Sequence, residues 1–402
     1  MLANSGYRRL FAAQTISRWG DIANTVALVI LVFEITGSGL KVSGVVIAEI
    51  LPVLLLAPVA GMVADRLPRI GVMVAADLSR TGLAALLPLA SGHLAVVYAI
   101  AFGLSAGGVF FNPASASVLP AVVSEDELIA ANSGLWSAAV ISQIALAPLA
   151  GAMVTAWGVA PAFYFNAATF AASALTLVRL RLPGLPPPSA AGSLARGALA
   201  GGRLLIHDRL LRLLAIVQLL AALSAGATSA LLVVLAERHL HAGPRGYGLL
   251  LGAIGAGAAL GPVLLARLTS NPRRPALVFG PYLLRGAVDL LLAATRNLPA
   301  AIGALALYGV GTSTGMVTYN SLLQAKTAPE IRGRVFAGFD MIWQTGRLAS
   351  LALGGITGDA LGIRAVYALG GALLLLAGAT GLTGLATGTT TPDLTTGSEA
   401  GV

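Results

Sequence analysis

The sequence predicts an all-α integral membrane protein in which twelve transmembrane helices form two pseudo-symmetric six-helix bundles. Three observations lead to this prediction: the composition, the series of long apolar segments and the placement of the basic residues. Of the 402 residues, 57% are hydrophobic and only 10% are charged, whereas a soluble domain carries about 25% charged residues. The composition therefore excludes a soluble enzyme, a disordered chain and a collagen-like chain.

Twelve segments are long and apolar enough to cross a bilayer as helices, which requires roughly 20 residues each. They run over 10–33, 42–64, 70–91, 94–118, 128–157, 160–178, 213–236, 247–266, 276–295, 298–324, 335–357 and 363–386. Helices are predicted rather than open strands because lipid offers no partners to backbone N–H and C=O groups.

The basic residues orient these spans. Sixteen Lys and Arg fall in the termini and connections on one side of the predicted membrane, and five fall on the other. The positive-inside rule therefore predicts that both termini and the middle connection are cytoplasmic in a multi-pass protein of the cell membrane. The net charge of +9 reflects this topology, so no nucleic-acid partner is expected.

A breaker-rich connection after the sixth span divides the chain into two halves. The predicted organisation is an N-terminal six-helix bundle at 1–181, a cytoplasmic central loop at 182–209, a C-terminal six-helix bundle at 210–387 and a disordered cytoplasmic tail at 388–402. The halves repeat weakly: Ala145, Leu149, Gly151 and Gly158 correspond to Ala349, Leu353, Gly355 and Gly362, and Arg80 corresponds to Arg285. Parallel six-helix repeats are typical of secondary transporters.

The connection between spans 2 and 3 carries the most informative motif. Residues 61–69 read Gly-Met-Val-Ala-Asp-Arg-Leu-Pro-Arg, which resembles the G-x-x-x-D-R-x-G-R signature of the major facilitator superfamily, with Pro68 in place of the second glycine. Companion motifs fit the same family: Asp77-Leu78-Ser79-Arg80, Asn112-Pro113-Ala114, Leu119-Pro120, Ala131-Asn132-Ser133 and Arg332-Gly333-Arg334-Val335. Together they resemble the twelve-helix drug-efflux branch related to macrolide and siderophore exporters.

The resemblance implies a conformational latch formed by Gly61, Asp65, Arg66 and Arg69. Asp65 would accept the free N–H groups at the start of span 11, and this contact would hold the two halves together on the cytoplasmic side in the outward-facing state. We call this the cytoplasmic latch. The alternative is an ordinary positive-inside loop with one incidental acid.

Span 5 retains part of a second motif that is frequent in exporters of this superfamily. Gly134, Pro148 and Gly151 stand in register with it, while Gln143 replaces one of its glycines. The partial match favours export only modestly, and a Pro-kinked packing helix is the alternative.

Charged residues within the spans are informative because each costs at least a few kcal/mol unless it is paired or hydrated. Three pairs have helical spacing within one span: Arg18 with Asp21, Asp77 with Arg80, and Arg285 with Asp289. Spans 3 and 9 are peripheral in this superfamily, so their pairs are interpreted as structural. Span 1 lines the cavity, which makes Asp21 a candidate proton carrier.

Glu49 in span 2 and Arg347 in span 11 have no partner nearby in their own helix. Their estimated depths match, and we predict a direct or water-bridged contact between them in one conformational state, which protonation of Glu49 would release. The alternative places each charge separately in a hydrated cavity. The proton-coupling candidates are Asp21, Glu49, Arg347, Asp289 and Asp340.

The predicted cavity is mostly apolar, with a few polar side chains. The cavity candidates are Gln14, Asn24, Asn112, Gln143, Gln218, Tyr319, Asn320 and Gln344. Spans 4, 7 and 10 contain no Arg that would bind an anion, so an amphiphilic or hydrophobic drug, antibiotic or natural product is expected.

The predicted function is therefore export of such a compound by proton antiport and alternating access. A proton-coupled or facilitative uptake permease of the same fold is the alternative, and a transport-inactive scaffold is disfavoured by the intramembrane charges. The chain has no Cys and only scattered His, so neither a metal site nor an enzyme is expected. No cofactor is expected either: without an ATP-binding motif the energy source is a proton gradient, with Na⁺ as the alternative ion. The expected partners are the small molecule, protons and the lipid bilayer, and the protein is predicted to be monomeric.

Overall fold

A computed structural model describes residues 4–90, 92–180, 208–269, 271, 273–327 and 329–386. These residues form twelve long helices and no strand: α1 (Ser5–Thr36), α2 (Gly39–Arg66), α3 (Arg69–Ala90), α4 (Leu94–Val122), α5 (Leu128–Trp157), α6 (Ala160–Val178), α7 (Arg209–Ala230), α8 (Gly243–Leu268), α9 (Pro275–Ala294), α10 (Leu298–Lys326), α11 (Pro329–Leu361) and α12 (Ile363–Ala386). The predicted central loop lies almost wholly outside the described residues, and the predicted tail lies outside them entirely.

Eleven of these helices are long and apolar enough to cross a membrane by length and composition. The remaining one is α11, whose 33 residues include the charged Asp340 and Arg347. Its place between α10 and α12 makes it the twelfth helix of the two-bundle fold that the sequence predicts.

Helix capping moves several predicted boundaries. Helix α1 begins at Ser5 rather than at residue 10, because the Asn4 side chain accepts hydrogen bonds from the amides of Gly6 and Tyr7. The hydropathy pattern places Arg8 and Arg9 outside the predicted span, but the cap at Asn4 includes them in the helix. Likewise Asp208 caps α7 at Arg209. Helix α7 ends at Ala230. It is followed by a short helix, Leu232–Val234, and then by a π-helical turn, Leu235–His239.

The twelve helices pack as two bundles of six. In the first half, α1 packs on α5 and α6, α3 packs on α4 and α6, and α2 packs on α4. In the second half, α8 and α9 pack on α10, α9 packs on α12, and α7 packs on α11 and α12. Two helix pairs make the most extensive contacts between the halves, α5 with α8 and α2 with α11; we call them the α5–α8 seam and the α2–α11 seam.

The two ends of the molecule differ in how the halves meet. We call the end where α1 begins and α12 ends the termini face, and the end where α1 ends and α2 begins the opposite face. At the opposite face one apolar core takes residues from both halves, among them Leu28, Val45, Leu231 and Leu292. At the termini face each half has its own core, around Leu10, Met73 and Val118 in one and Leu214, Phe279 and Leu323 in the other. The halves are therefore joined at the opposite face and separate at the termini face.

The weak internal repeat corresponds to repeated geometry. A Cβ added to Gly151 would lie 2.4 Å from the Pro244 carbonyl oxygen in the α5–α8 seam, and one added to Gly355 would lie 2.8 Å from the Leu40 Cα in the α2–α11 seam. Two further equivalent glycines, Gly158 and Gly362, follow the ends of α5 and α11 with φ of 76° and 86°, which glycine adopts without strain.

Candidate transport site

The first half contains a polar cavity of about 210 Å³ between α1, α3, α4 and α5. Its lining consists of Gln14, Thr15, Ser17, Arg18, Asp21, Arg80, Phe111, Asn112, Leu135 and Ala139. Three predicted residues thus lie together: Gln14, Asp21 and Asn112. The Gln14 side-chain amide also donates a hydrogen bond to the Ser115 hydroxyl at 2.7 Å, which orients it at the cavity wall.

Behind this cavity lies a buried charge cluster on α3. Asp77 and Arg80 form the predicted ion pair, and the other Asp77 oxygen accepts a hydrogen bond from the Ser173 hydroxyl at 2.6 Å. The Arg80 guanidinium lies over the Phe170 ring, 4.2 Å from its centroid. The ion pair that helical spacing predicts is therefore present, but Arg80 also lines the cavity, so the structural role of the pair stays a prediction.

Asp21 faces this cluster without a direct ion pair. Within the described part of the chain, no ion pair within 4.0 Å joins Asp21 to Arg18, although both Arg80 and Arg18 act on it electrostatically. The predicted ion pair within span 1 is therefore absent from the described residues in this conformation. The Arg18 side chain is exposed instead. Asp21 remains a carboxylate that opens onto the cavity.

The second half contains a larger, more aromatic cavity of about 370 Å³ between α7, α9, α10 and α11. Its lining consists of Gln218, Pro281, Tyr282, Arg285, Gly311, Thr312, Gly315, Met316, Tyr319, Asn320, Leu323, Phe336, Phe339, Asp340 and Trp343. The predicted members are Gln218, Tyr319, Asn320 and Asp340.

Sequence reasoning missed the aromatic wall of this second cavity. Phe336, Phe339 and Trp343 line one side of it, and Tyr319 meets Phe339 edge-on at a centroid distance of 5.9 Å. The signal was present in the sequence, because positions i, i+3 and i+7 lie on one face of a helix.

Arg285 pairs across helices rather than within its own helix. Its guanidinium donates a hydrogen bond to the Tyr308 hydroxyl at 2.9 Å and lies 4.7 Å from that ring's centroid. No direct ion pair with Asp289 lies within 4.0 Å in the described residues, so the predicted i,i+4 pair is absent. Asp289 is only 1% exposed, and its interaction with Arg285 is electrostatic at longer range.

Glu49 and Arg347 face the α2–α11 seam, where Ile50 and Leu351 pack together. Both charged side chains are half-buried and interact electrostatically, but no ion pair within 4.0 Å joins them among the residues described. Asp21 also lies within electrostatic range of Glu49. Glu49 therefore interacts electrostatically with Asp21 of the first half and with Arg347 of the second half. A direct contact between Glu49 and Arg347 stays a prediction.

Three predicted cavity residues lie elsewhere. Asn24 is buried in α1, and the Gln143 side chain packs against Gly255 in the α5–α8 seam. The side-chain oxygens of Asn24 and Gln344 are buried without a hydrogen-bond partner in the described part of the chain. Span polarity alone did not indicate which side of each helix these amides occupy.

The signature residues lie where the halves are apart. A Cβ added to Gly61 would meet nothing within 4 Å, Arg66 is exposed, and Arg69 makes a long hydrogen bond of 3.4 Å to the Ser117 carbonyl. The Asp65 side chain lies outside the described residues. The cytoplasmic latch therefore stays a prediction, and it concerns the state in which the termini face is closed.

The partial span 5 motif contributes to helix packing. Gly134 lies against the Tyr7 hydroxyl, which donates a hydrogen bond to the Ala131 carbonyl at 3.1 Å. Pro148 packs on Gly252 of α8, within the α5–α8 seam. These contacts match the alternative interpretation of the motif as a packing element.

Comparison with known proteins agrees with this geometry. The family model described as "Transmembrane secretion effector" (MFS_3) matches residues 1–392. The multidrug efflux pump Tap of Mycolicibacterium fortuitum is 28% identical over 91% of this chain and 92% of its own length. Macrolide efflux protein A of Streptococcus pyogenes is 22% identical, again over 91% and 92%.

Solved transporter structures show the same fold at low identity. The nucleoside transporter NupG superposes with a TM-score of 0.75 at 12% identity, over 94% of this chain and 99% of its own. A bacterial homologue of the iron transporter ferroportin, described as inward-facing, gives 0.73 at 18% identity, over 94% and 98%. This chain is therefore a multi-pass membrane transporter rather than an enzyme, and it belongs to the transmembrane secretion effector family of the major facilitator superfamily.

Proposed function

We propose that this transporter exports an amphiphilic or hydrophobic small molecule from the cytoplasm by proton antiport, with the termini face cytoplasmic. The observation that carries the proposal is the asymmetry between the ends: one shared core closes the opposite face, while separate cores leave the halves apart at the termini face. This arrangement supports alternating access: it corresponds to the loading state of an exporter and equally to the release state of an uptake permease, so the direction of transport needs a separate argument. The names of the Tap and macrolide efflux relatives support the direction.

The two cavities offer complementary surfaces for an amphiphile. The aromatic wall of the second half suits the apolar body of a ligand, because aromatic rings provide large contact areas. The first half offers Asp21 together with the amides of Gln14 and Asn112, which suit a polar or cationic end. An apolar pocket with few polar groups is the usual form of a small-molecule site.

Asp21 and Glu49 are the proposed proton carriers. Their mutual electrostatic influence means that protonation of one carboxylate favours ionisation of the other. Arg347 acts on Glu49 from across the α2–α11 seam. Loss of the Glu49 charge would therefore remove an attraction between the halves, which couples proton uptake to their relative movement.

The proposal is tested by ethidium efflux from energised cells, with and without a protonophore. We expect Glu49→Gln and Asp21→Asn each to reduce efflux at least tenfold, and the protonophore to abolish it in the wild type. Glu125→Gln is the control, because it removes an exposed carboxylate outside the helical bundle. Efflux that survives both substitutions would contradict these carriers and transfer the role to Asp289 or Asp340.

Direction is tested in everted vesicles. Export by proton antiport predicts that an outward proton gradient, with the lumen more acidic than the medium, drives dye accumulation in everted vesicles, because protons leave the lumen as dye enters it. Accumulation only in right-side-out vesicles would instead establish the uptake permease.

A further inference from the structure

A polar network at the opposite face connects the two halves. Asp359, near the end of α11, accepts hydrogen bonds from the Gly39 amide at 2.6 Å and the Leu40 amide at 3.3 Å. It also accepts one from the Ser38 hydroxyl at 2.5 Å. Ser38 is the N-cap of α2, whose first N–H groups have no partner within the helix. An acid of the second half therefore caps a helix of the first half and meets the positive end of its dipole.

A second interaction joins the same segment to the second half. Arg238, in the π-helical turn after α7, donates a hydrogen bond to the Gly37 carbonyl. Its guanidinium lies 5.2 Å from the Phe33 ring centroid, and it acts electrostatically on Asp359. Two charged groups of the second half thus grip residues 33–40, where α1 ends and α2 begins.

Close packing next to the cap depends on glycine. A Cβ added to Gly355 would lie 2.8 Å from the Leu40 Cα and 3.0 Å from the Ser43 hydroxyl. One added to Gly39 would lie 3.3 Å from an Asp359 oxygen. These glycines let the backbones approach closely enough for the carboxylate to reach the amides.

We propose that Asp359 is the latch of the opposite face: it holds that face closed while the termini face is open, and it releases α2 when the halves rock. The proposal rests on the alternating access of the proposed function. Helices α2 and α11 run antiparallel, and Asp65 lies one residue before the end of α2 just as Asp359 lies two residues before the end of α11. Each helix thus has an acid in its last turn: Asp359 caps α2 in this structure, and the cytoplasmic latch that the sequence predicts would use Asp65 at the start of α11.

The chain has no Cys, so introduced cysteine pairs report conformation without background labelling. Spin labels at Lys41 and Leu361 report separation at the opposite face, and labels at Leu67 and Gly333 report it at the termini face. All four positions are exposed. Double electron–electron resonance on the full-length protein in nanodiscs then measures the two distance distributions.

Asp359→Ala is expected to lower the ratio of closed to open opposite face by about twofold to thirtyfold, the range for loss of a helix cap. The termini-face distances should shorten in the same samples. Glu125→Gln is the control, since it removes an exposed carboxylate in the connection between α4 and α5, at the other end of the molecule. Unchanged distributions in Asp359→Ala would overturn the proposal.

If Asp359→Ala does not fold, Ser38→Ala and Arg238→Gln replace it in the test. Each is expected to open the opposite face by a smaller amount than Asp359→Ala would. Unchanged distances in both variants would contradict the latch. The distance measurement needs no transported compound. Opening of the opposite face in Asp359→Ala without any wild-type efflux would therefore contradict the proposed function alone, and normal efflux with unchanged distances would contradict the latch alone.

Discussion

The two seams that join the halves are equivalent in the internal repeat, yet they differ in chemistry. In the α5–α8 seam backbone meets backbone: a Cβ added to Gly248 would lie 2.4 Å from the Ala147 carbonyl oxygen, and one added to Gly151 would lie as close to that of Pro244. In the α2–α11 seam Asp359 caps α2, and Glu49 and Arg347 interact electrostatically. The α5–α8 seam is built from close backbone contacts, and the α2–α11 seam combines one such contact, at Gly355, with charged groups.

This difference assigns distinct roles to the seams. The contacts of Gly151 and Gly248 with the facing backbone contain no titratable group, so the α5–α8 seam is expected not to respond to pH. Charged contacts change with protonation and with the geometry of a few atoms, so the α2–α11 seam can switch. A major facilitator protein that opens at alternate ends needs both properties.

The largest effect is expected from a side chain added to a glycine in the α5–α8 seam. Gly248→Leu should separate α5 from α8, because the contacted Ala147 oxygen belongs to a helix backbone and cannot move aside. Overpacking costs about 1–3 kcal/mol, so the ratio of closed to open opposite face should fall by about fivefold to 150-fold. The Lys41–Leu361 label pair measures it.

Gly248→Ala should show the same direction with a smaller amplitude. Gly108→Ala on α4 is the control, because an added Cβ there meets nothing within 4 Å. Equal distance distributions for Gly248→Leu and the wild type would refute the close-contact seam.

A smaller opening of the opposite face is expected from Gly355→Ala in the α2–α11 seam. The new methyl group would meet the Leu40 Cα at 2.8 Å and the Ser43 hydroxyl at 3.0 Å. The hydroxyl can rotate away, and the Leu40 backbone has to shift by less than the 2.4 Å contact at Gly248 requires. We expect Gly355→Ala to lower the ratio of closed to open opposite face by about threefold, which is less than the change expected for Gly248→Leu. Gly303→Ala on α10, where the space is open, is the reference. A larger effect than that of Gly248→Leu would reverse the ranking of the seams.

Much of this fold was predictable because hydropathy and charge placement report on the membrane directly. The twelve helices, the two halves and the buried Asp77–Arg80 pair follow from patterns within single segments. Contacts between distant segments were not predictable: Tyr308 takes the Arg285 guanidinium that helical spacing assigned to Asp289.

Asp359 illustrates the same limit. It lies beyond the predicted end of span 11 at residue 357, where a hydropathy reading assigns a connection rather than a helix. Its partners, the first amides of α2, are more than 300 residues away in sequence. Only the packing of α11 on α2 brings these groups together, and no local pattern records it.

The smallest effect expected is the response of the Asp359 latch to pH. Burial alone would raise the pKa of Asp359, but hydrogen bonds from Ser38 and the first amides of α2, together with Arg238, lower it below the ordinary 3.8. A carboxylate with a lowered pKa contributes its stabilisation above the ordinary pKa and loses it only as the pH falls through the lowered value. The contribution of Asp359 to closure should therefore stay constant between pH 5 and pH 8.

Any change in the Lys41–Leu361 distances over that range is then expected from other groups. Asp21 and Glu49 are the proposed ones, and the titratable Glu237 and His239 flank Arg238 beside the latch. Asp359→Asn should keep the wild-type pH dependence while shifting the whole curve toward the open state. Glu49→Gln should flatten the curve without removing the cap. If Asp359→Asn flattened it instead, the α2–α11 seam would combine latch and proton sensor in one residue, and the division between a cap at the end of α11 and a sensor at its middle would be wrong.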